Sequence, residues 1–319
     1  MVTSTVGCTA ILGATDVPDE RDASADATND GYGADVVAET DGDASGPESA
    51  SDSGHDVGTP ADGGTIDPVD ASVGDADGGT GSDAKGDAAV TYRATVLGDS
   101  PLAYWRVGES SGTVAHDEIA ANPAATYVQS FVLGKPGAII DDPNTAVLLN
   151  GNGTSCVDTS ATTALSFPGT TSFSIEAWID PASLDGTDRH VFIQEVTDTN
   201  GKEGFGLFVS SGNLTFQRWV SGSSQAVNVP PPQVGQHTHV VATYDGAATT
   251  PAMHVYVNGA EPAASQPDSQ PMPLLSGGAY VGCHGGANGF NGIIDEVAVY
   301  AAALSPAQVL THYHVGSGN

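Results

Sequence analysis

Carboxylates come first, because two of them held on one face of a strand can hydrolyse a glycosidic bond. Retaining hydrolysis needs the two carboxyl groups about 5–5.5 Å apart. Asp295 and Glu296 are adjacent in Ile293-Ile294-Asp295-Glu296-Val297-Ala298, and neighbours on a strand point to opposite faces. That spacing speaks against a paired acid and base. A nucleophilic triad has no support either, since a strand-dominated pattern offers no strand–turn–helix to hold its serine. His237-Thr238-His239 and His312-Tyr313-His314 carry metal-ligand side chains. On a strand His237 and His239 share a face, which is compatible with zinc. On a helix His312 and His314 diverge by about 200°. We read both pairs as structural. Trp178, Trp219 and Tyr256 offer planes on which a sugar ring can stack. Trp219, in Phe216-Gln217-Arg218-Trp219 beside a Gly/Ser turn, is the freest of the three.

The charge balance narrows the partners. The chain of 319 residues has 8 Lys+Arg against 39 Asp+Glu, a formal charge of −31. Residues 1–90 hold 20 of the acids and only Arg21 and Lys85 as bases, hence −18. Residues 91–319 hold 19 acids and six bases, hence −13. No basic patch exists, so nucleic acid and anionic membrane surfaces are poor partners. No run of 18 apolar residues is present to span a membrane as a helix. Neutral sugars, extracellular proteins and cations such as Ca²⁺ suit the chain better.

From Thr15 to Ala89 the chain is Asp, Ala, Gly, Ser and Thr without helical or strand period. Such a segment cannot bury enough apolar surface to offset backbone entropy of roughly 1–2 kcal/mol per residue. We read residues 14–90 as a disordered acidic linker. Ahead of it, Val6-Gly7-Cys8 resembles the end of a bacterial lipoprotein signal, in which the cysteine is acylated. Thr5 stands where Leu is usual, and residues 1–7 contain no apolar core segment. Residues 1–13 are therefore expected to be the remnant of such a signal, with Cys8 the lipidation site and the rest upstream of Met1. A lipid anchor on an exported protein, at the outer surface or in the periplasm, is the expected placement. Lipidation of Cys8 would leave Cys156 and Cys283, an even number that an oxidising compartment would pair. Two buried free thiols are the alternative.

Past Tyr92 the texture changes. Short alternating runs recur between Gly, Asn, Asp, Pro and Ser clusters. They predict strands at 102–107, 145–150, 154–158, 172–180, 190–196, 204–210, 214–220, 225–229, 237–244, 252–258, 279–283 and 292–300. Phe173, Ile175, Ala177 and Ile179 alternate with Ser174, Glu176, Trp178 and Asp180. About a dozen strands in one stretch imply two packed sheets. One helix is expected, at the end. Ser305-Pro306-Ala307-Gln308 is a capping box with Pro at the first helical position, Leu304 and Val309 form the staple, and Gly316 is the stop. Val309, Leu310 and Tyr313 should pack it down. The fold class is thus all-β: a two-sheet antiparallel jelly-roll sandwich over residues 91–319, with one short C-terminal helix and a disordered N-terminal third.

Several segments, in order, resemble the laminin-G-like (concanavalin-A-like) jelly-roll domain of bacterial surface proteins. They are Leu102-Ala103-Tyr104-Trp105-Arg106 within 101–109 with Asp117 after it, Ala146-Val147-Leu148-Leu149-Asn150-Gly151, and Ser172-Phe173-Ser174-Ile175-Glu176-Ala177-Trp178-Ile179. The pair at 239–246 and 253–259 follows, then 289–300 with Ala303-Leu304-Ser305. The resemblance implies a binding fold that also hosts hydrolases. Related β-glucanases carry Glu-x-Asp-x-x-Glu. With Asp295 in the middle position, Ile293 and Ala298 stand where the two catalytic carboxylates belong. We therefore expect a non-catalytic cell-surface module for carbohydrate or protein, with a glycan-degrading enzyme or a ligand-free coat module as alternatives. Domains of this kind often hold one structural Ca²⁺ with carboxylates and loop carbonyls, which makes Asp295 and Asp117 the expected ligands. Limited proteolysis should strip the residues before about 90 and leave a stable core beginning near Tyr92, because a segment without a core exposes its backbone. Mass spectrometry of the resistant fragment checks this, and a fragment retaining residues 40–70 would refute it.

Overall fold

The computed structural model describes residues 90–159, 165–210 and 212–319. Cys8, the signal remnant at 1–13 and the linker at 14–89 lie outside the described residues. In chain order the elements are α1 (Tyr92–Gly98), β1 (Ala103–Trp105), β2 (Val114–Ala115), β3 (Ala125–Val128), β4 (Phe131–Pro136), β5 (Thr145–Asn150), β6 (Cys156–Asp158), β7 (Phe173–Pro181) and β8 (Arg189–Asp198). They continue with β9 (Gly201–Ser210), β10 (Asn213–Val220), β11 (Ser223–Val229), β12 (Thr238–Asp245), β13 (Ala252–Val257), β14 (Gln266–Pro267), β15 (Ala279–Val281), β16 (Asn291–Tyr300) and α2 (Pro306–Ser317).

The strands form two antiparallel sheets. The first runs β14-β13-β12-β7-β16-β5-β4, with β1 paired to β16; the second runs β11-β10-β9-β8-β15-β6-β3-β2. Every strand expected from the alternation is present. The additional β2, β3, β4 and β14 are short or interrupted, β4 by Gly134. Phe173, Ile175, Ala177 and Ile179 of β7 face the inter-sheet core together with Phe205, Leu207, Leu214 and Phe216 from the second sheet. Aromatic contacts concentrate there: the Phe173 ring stacks on Phe167 with centroids 4.6 Å apart and meets Phe205 at a tilt, 4.5 Å apart.

One charged side chain crosses that core. Arg218 of β10 points inward with 1% exposure. Its guanidinium lies 3.8 Å from the Tyr244 ring centroid on β12, in the opposite sheet, and pairs with the carboxylate of Asp268. Tyr244 Oη donates to the Asp268 carbonyl at 2.9 Å. The group fastens the two sheets together.

The helices differ from expectation in two ways. A second helix exists, α1, which Thr91 caps by accepting from the Ala94 N–H at 3.2 Å. Its seven residues are too few to show a periodic signal, and only Tyr92 and Val96 are buried. Helix α2 has the expected capping box, but it runs through Gly316 to a left-handed Gly318 at φ 70°. Gly316 is a packing residue: a Cβ there would come within 2.5 Å of Trp178 Cζ2. Val309 is buried, whereas Leu310 remains 42% exposed.

Strands β6 and β15 pair, with Val281 opposite Val157. That register brings Cys156 and Cys283 together as a disulfide, Cα–Cα 5.4 Å.

Removing one partner of a buried ion pair leaves the other uncompensated and costs about 3–5 kcal/mol. Asp268→Ala should lose that much in urea denaturation. Arg218→Met combined with Asp268→Leu should recover most of it, and a single substitution that costs nothing would refute the fastening role.

Candidate binding face

The sandwich has two outer faces, and the sequence treats them differently. On the first sheet the outward residues of β7 are Ser174, Glu176 and Trp178, which alternation alone would leave in water. Instead α1 and α2 cover them. Tyr92, Val96 and Val309 from the helices cluster with Tyr104, Trp178, Val241, Tyr256 and Tyr300 from the strands. Glu176 sits at the centre with no exposure. It accepts from Tyr92 Oη at 2.8 Å, Tyr300 Oη at 2.5 Å, His239 Nε2 at 2.7 Å and His312 Nδ1 at 2.9 Å. His312 Nε2 reaches Asp99 Oδ2 at 2.9 Å, just past the end of α1. His239 and His312 thus serve the structure.

The adjacent pair Asp295 and Glu296 departs from the strand rule. The β7–β16 register shifts between Asp295 and Ala298, and Glu296 takes φ 53°. This bulge brings both carboxylates to the loop at 137–144. Asp295 Oδ2 accepts from the Ala138 N–H at 2.7 Å. Glu296 binds Arg106 at 2.6 Å, Asn144 Nδ2 at 3.3 Å and the Tyr104 hydroxyl. Burial, and then the charge of Glu296, push the Asp295 pKa well up. Asp117 Oδ1 accepts from the Tyr104 and Ile119 N–H groups, and its Oδ2 accepts from Asn122 Nδ2. Asp117 is thus supplied with three protein donors, whereas Asp295 Oδ1 is buried without a hydrogen-bond partner. Among the described residues no three His, Cys, Asp or Glu side chains converge on a metal position. Asp295 and Asp117 each accept from backbone N–H groups. The letters Gly-x-Ser-x-Gly do occur, at Gly108-Glu109-Ser110-Ser111-Gly112, but in the loop between β1 and β2 with no helix following.

The structure separates the three aromatic candidates. Trp178 is 3% exposed, wedged beneath α2 against Tyr92 and Tyr313. Tyr256, 4% exposed, lines a cavity of about 320 Å³ with His254, Glu261 and Pro306. Its hydroxyl is pushed up to about 12 by burial and by Glu261. Trp219 stands alone on the other sheet.

On β10, Leu214, Phe216 and Val220 face the core, so Thr215, Gln217 and Trp219 face outward. Trp219 opposes Gly204 on β9, and Gly204 opposes Glu195 on β8. A ladder of rings crosses the strands from there. Trp219 stacks on Phe208 with centroids 6.2 Å apart, Phe208 on His190 at 5.0 Å, and His190 on His284 at 5.3 Å. Burial, and then His284 and Lys202, lower the His190 pKa to about 3, so its ring is neutral. Polar groups flank the ladder. Lys202 Nζ lies 4.8 Å from the Trp219 ring centroid and 2.6 Å from Glu195, and His284 Nε2 is 3.6 Å from the same carboxylate. Gly204 opens the strand between Trp219 and Glu195, and the Ile193 side chain covers Gly206. Sequence reasoning found Trp219 but not His190, His284, Glu195 or Lys202, which only the sheet register assembles. Further along, Tyr280 of β15 opposes Asp158 of β6 and borders a groove of about 250 Å³.

Residues 151–310, half of the chain, match the family described as the concanavalin A-like lectin/glucanases superfamily. The chain belongs to this superfamily. No curated protein matches it in sequence. Among solved structures, the binding domain of botulinum neurotoxin serotype G is 11% identical, with a TM-score of 0.51 over 67% of this chain and 51% of that one. The serotype D ligand-binding domain in complex with N-acetylneuraminic acid is 12% identical, TM-score 0.52, over 69% and 52%. The binding domain of Paraclostridial Mosquitocidal Protein 1 is 16% identical, TM-score 0.50, over 68% and 52%. The chain thus spans about half the length of each.

In this superfamily member the covered face sets a pH dependence. Burial disfavours the charge on His312, but Glu176 and Asp99 outweigh it and raise its pKa above the usual histidine value of 6.5. For Glu176 burial is likewise overcome, by His312 and His239, and its pKa falls below the usual 4.5. A raised histidine adds stability that is complete below its unfolded pKa and is lost as pH rises through the folded one. A lowered carboxylate adds stability above its unfolded pKa and loses it as pH falls. The pair is fully effective between 4.5 and 6.5. The melting temperature should therefore drop as pH rises above 6.5, and His312→Gln should lower it at pH 6 and flatten the slope. Parallel slopes in thermal melts of the two proteins would refute the coupling.

Proposed function

We propose that residues 90–319 are a non-catalytic module that binds carbohydrate on the outer face of the second sheet. The observation that carries this reading is the half-exposed Trp219 at the end of the ring ladder, with Lys202, Glu195 and His284 beside it. Sugars present a face of C–H groups and an edge of hydroxyls. An aromatic plane with a few fixed donors and acceptors suits both. On the first sheet α1 and α2 seal Glu176 and Trp178, and Tyr256 keeps only 4% exposure. The position of Ile293 and Ala298, where a glucanase would carry its carboxylates, supports the non-catalytic reading. The likeness to toxin binding domains supports a binding role at the level of fold. The disulfide supports an exported location, where such bonds persist. Anchoring through an acylated Cys8 would place the module on a cell surface.

A glycan array and affinity electrophoresis in soluble polysaccharides test the proposal. Wild-type protein should be retarded by at least one polysaccharide. Trp219→Ala should weaken binding by about tenfold or more, roughly 1.4 kcal/mol, with an unchanged near-ultraviolet circular dichroism spectrum. No reducing ends should be released from the bound polymer. Measurable turnover, or binding indifferent to Trp219→Ala, would overturn it.

A further inference from the structure

We infer that the groove beside Tyr280 is a second sugar subsite, and that it exists only while Cys156 and Cys283 are joined. This rests on the carbohydrate reading of the same sheet face. The groove, of about 250 Å³, is bounded by Gln129, Cys156, Asp158, Tyr280, Gly285 and Gly286. Ala279 and Val281 point into the core, so Tyr280 points outward onto the face that carries Trp219. A half-exposed ring, a carboxylate and an amide side chain border a volume suited to one sugar unit. These are the functional groups that the Trp219 end of the face also presents.

The disulfide ties the two walls of this groove. One wall is β6 with the loop before it, where Asn152 Oδ1 accepts from the Thr154 and Ser155 N–H groups. The other is the turn after β15, closed by paired backbone bonds between His284 and Ala287. Gly285, Gly286 and Asn288 in that turn all have positive φ. The two loops touch closely through backbone, and Arg189 Nη1 donates to the Gly151 and Gly289 carbonyls at the end away from the groove. A Cβ on Gly289 would lie 2.4 Å from the Gly153 nitrogen, and one on Gly153 would lie 2.8 Å from Ala287 Cα. Strand β15 has three residues and β6 has three, so few ladder bonds hold either wall. The covalent link between Cys156 and Cys283 keeps the walls at a fixed separation. A dithiol that supplies two electrons and two protons breaks that bond, leaves two thiols and frees the turn.

Three interstrand steps separate Trp219 on β10 from Tyr280 on β15, or roughly 14 Å at about 4.8 Å per step. No single sugar ring covers that span. The ligand that uses both positions is an oligosaccharide or polysaccharide chain lying across the strands.

The test uses affinity electrophoresis of the full chain in arabinan, xylan, β-glucan, mannan and pectin. Calorimetry with oligomers of the retarding polymer, from one to six units, follows. Affinity should rise with oligomer length. Tyr280→Ala, Asp158→Asn and the double variant Cys156→Ser/Cys283→Ser should each weaken the longest oligomer by about tenfold. None of them should change the weak binding of the shortest, which Trp219→Ala should abolish. Dithiothreitol should reproduce the double-cysteine effect on wild-type protein and leave Tyr280→Ala unchanged. Wild-type affinity in Tyr280→Ala and Asp158→Asn, or in a cysteine double variant shown by circular dichroism to be folded, would overturn the subsite. If the double variant unfolds, Tyr280→Ala and Asp158→Asn decide the matter alone. Failure of wild-type protein to bind any of the five polymers would overturn the carbohydrate reading itself, and the subsite with it.

Discussion

Glu176 is the constraint around which the domain is arranged. A carboxylate with no solvent exposure is tolerable only when its oxygens are supplied with donors. Glu176 has four, from two strands and both helices: His239 and Tyr300, Tyr92 and His312. Neither helix is long enough to be stable by itself. Each is held because it brings a donor that the carboxylate requires. The helices in turn bury Trp178 and Tyr300, which would otherwise face water. The charge, the two helices and the aromatic layer therefore form one cooperative unit on the back of the first sheet.

The bulge in β16 solves a related problem. Two adjacent carboxylates on a regular strand would send one into the inter-sheet core. The left-handed backbone at Glu296 costs on the order of 1–3 kcal/mol, and it turns that side chain to Arg106 instead. Asp295 stays under the 137–144 loop and fixes it through Ala138. The helices cover the middle of one sheet in this way, whereas among the described residues no helix packs on the outside of the other. There the polar side chains are half-exposed and linked in small groups rather than locked into a single network.

Much of the architecture was legible because it is local. Alternation located the long strands, and Ser305-Pro306-Ala307-Gln308 announced α2 through its own capping chemistry. What stayed hidden depends on register between distant segments. Alternation in β7 separates two faces correctly but does not say that the polar one is covered, so Trp178 read as a possible platform although it is wedged under a helix. Asp295 and Glu296 read as diverging because a bulge has no strong letter when its left-handed residue is not glycine. Cys156 and Cys283 meet only because β6 and β15 are neighbours across a sequence separation of 127. Trp219 was found from its own surroundings. Its companions His190, His284, Glu195 and Lys202 come from different strands and loops, and no short pattern unites them.

The two helices have a geometric consequence. Asp99 at the end of α1 and His312 in α2 are bonded, and Gly316 lies against Tyr92, 3.1 Å from its ring to a built Cβ. The first and last described segments therefore lie side by side on the back of the first sheet. Val90 and Val315 near the end of α2 line one hollow on that side of the sandwich, and Trp219 is on the other side. The domain's closely spaced ends would let it be inserted within another chain at little cost in loop closure.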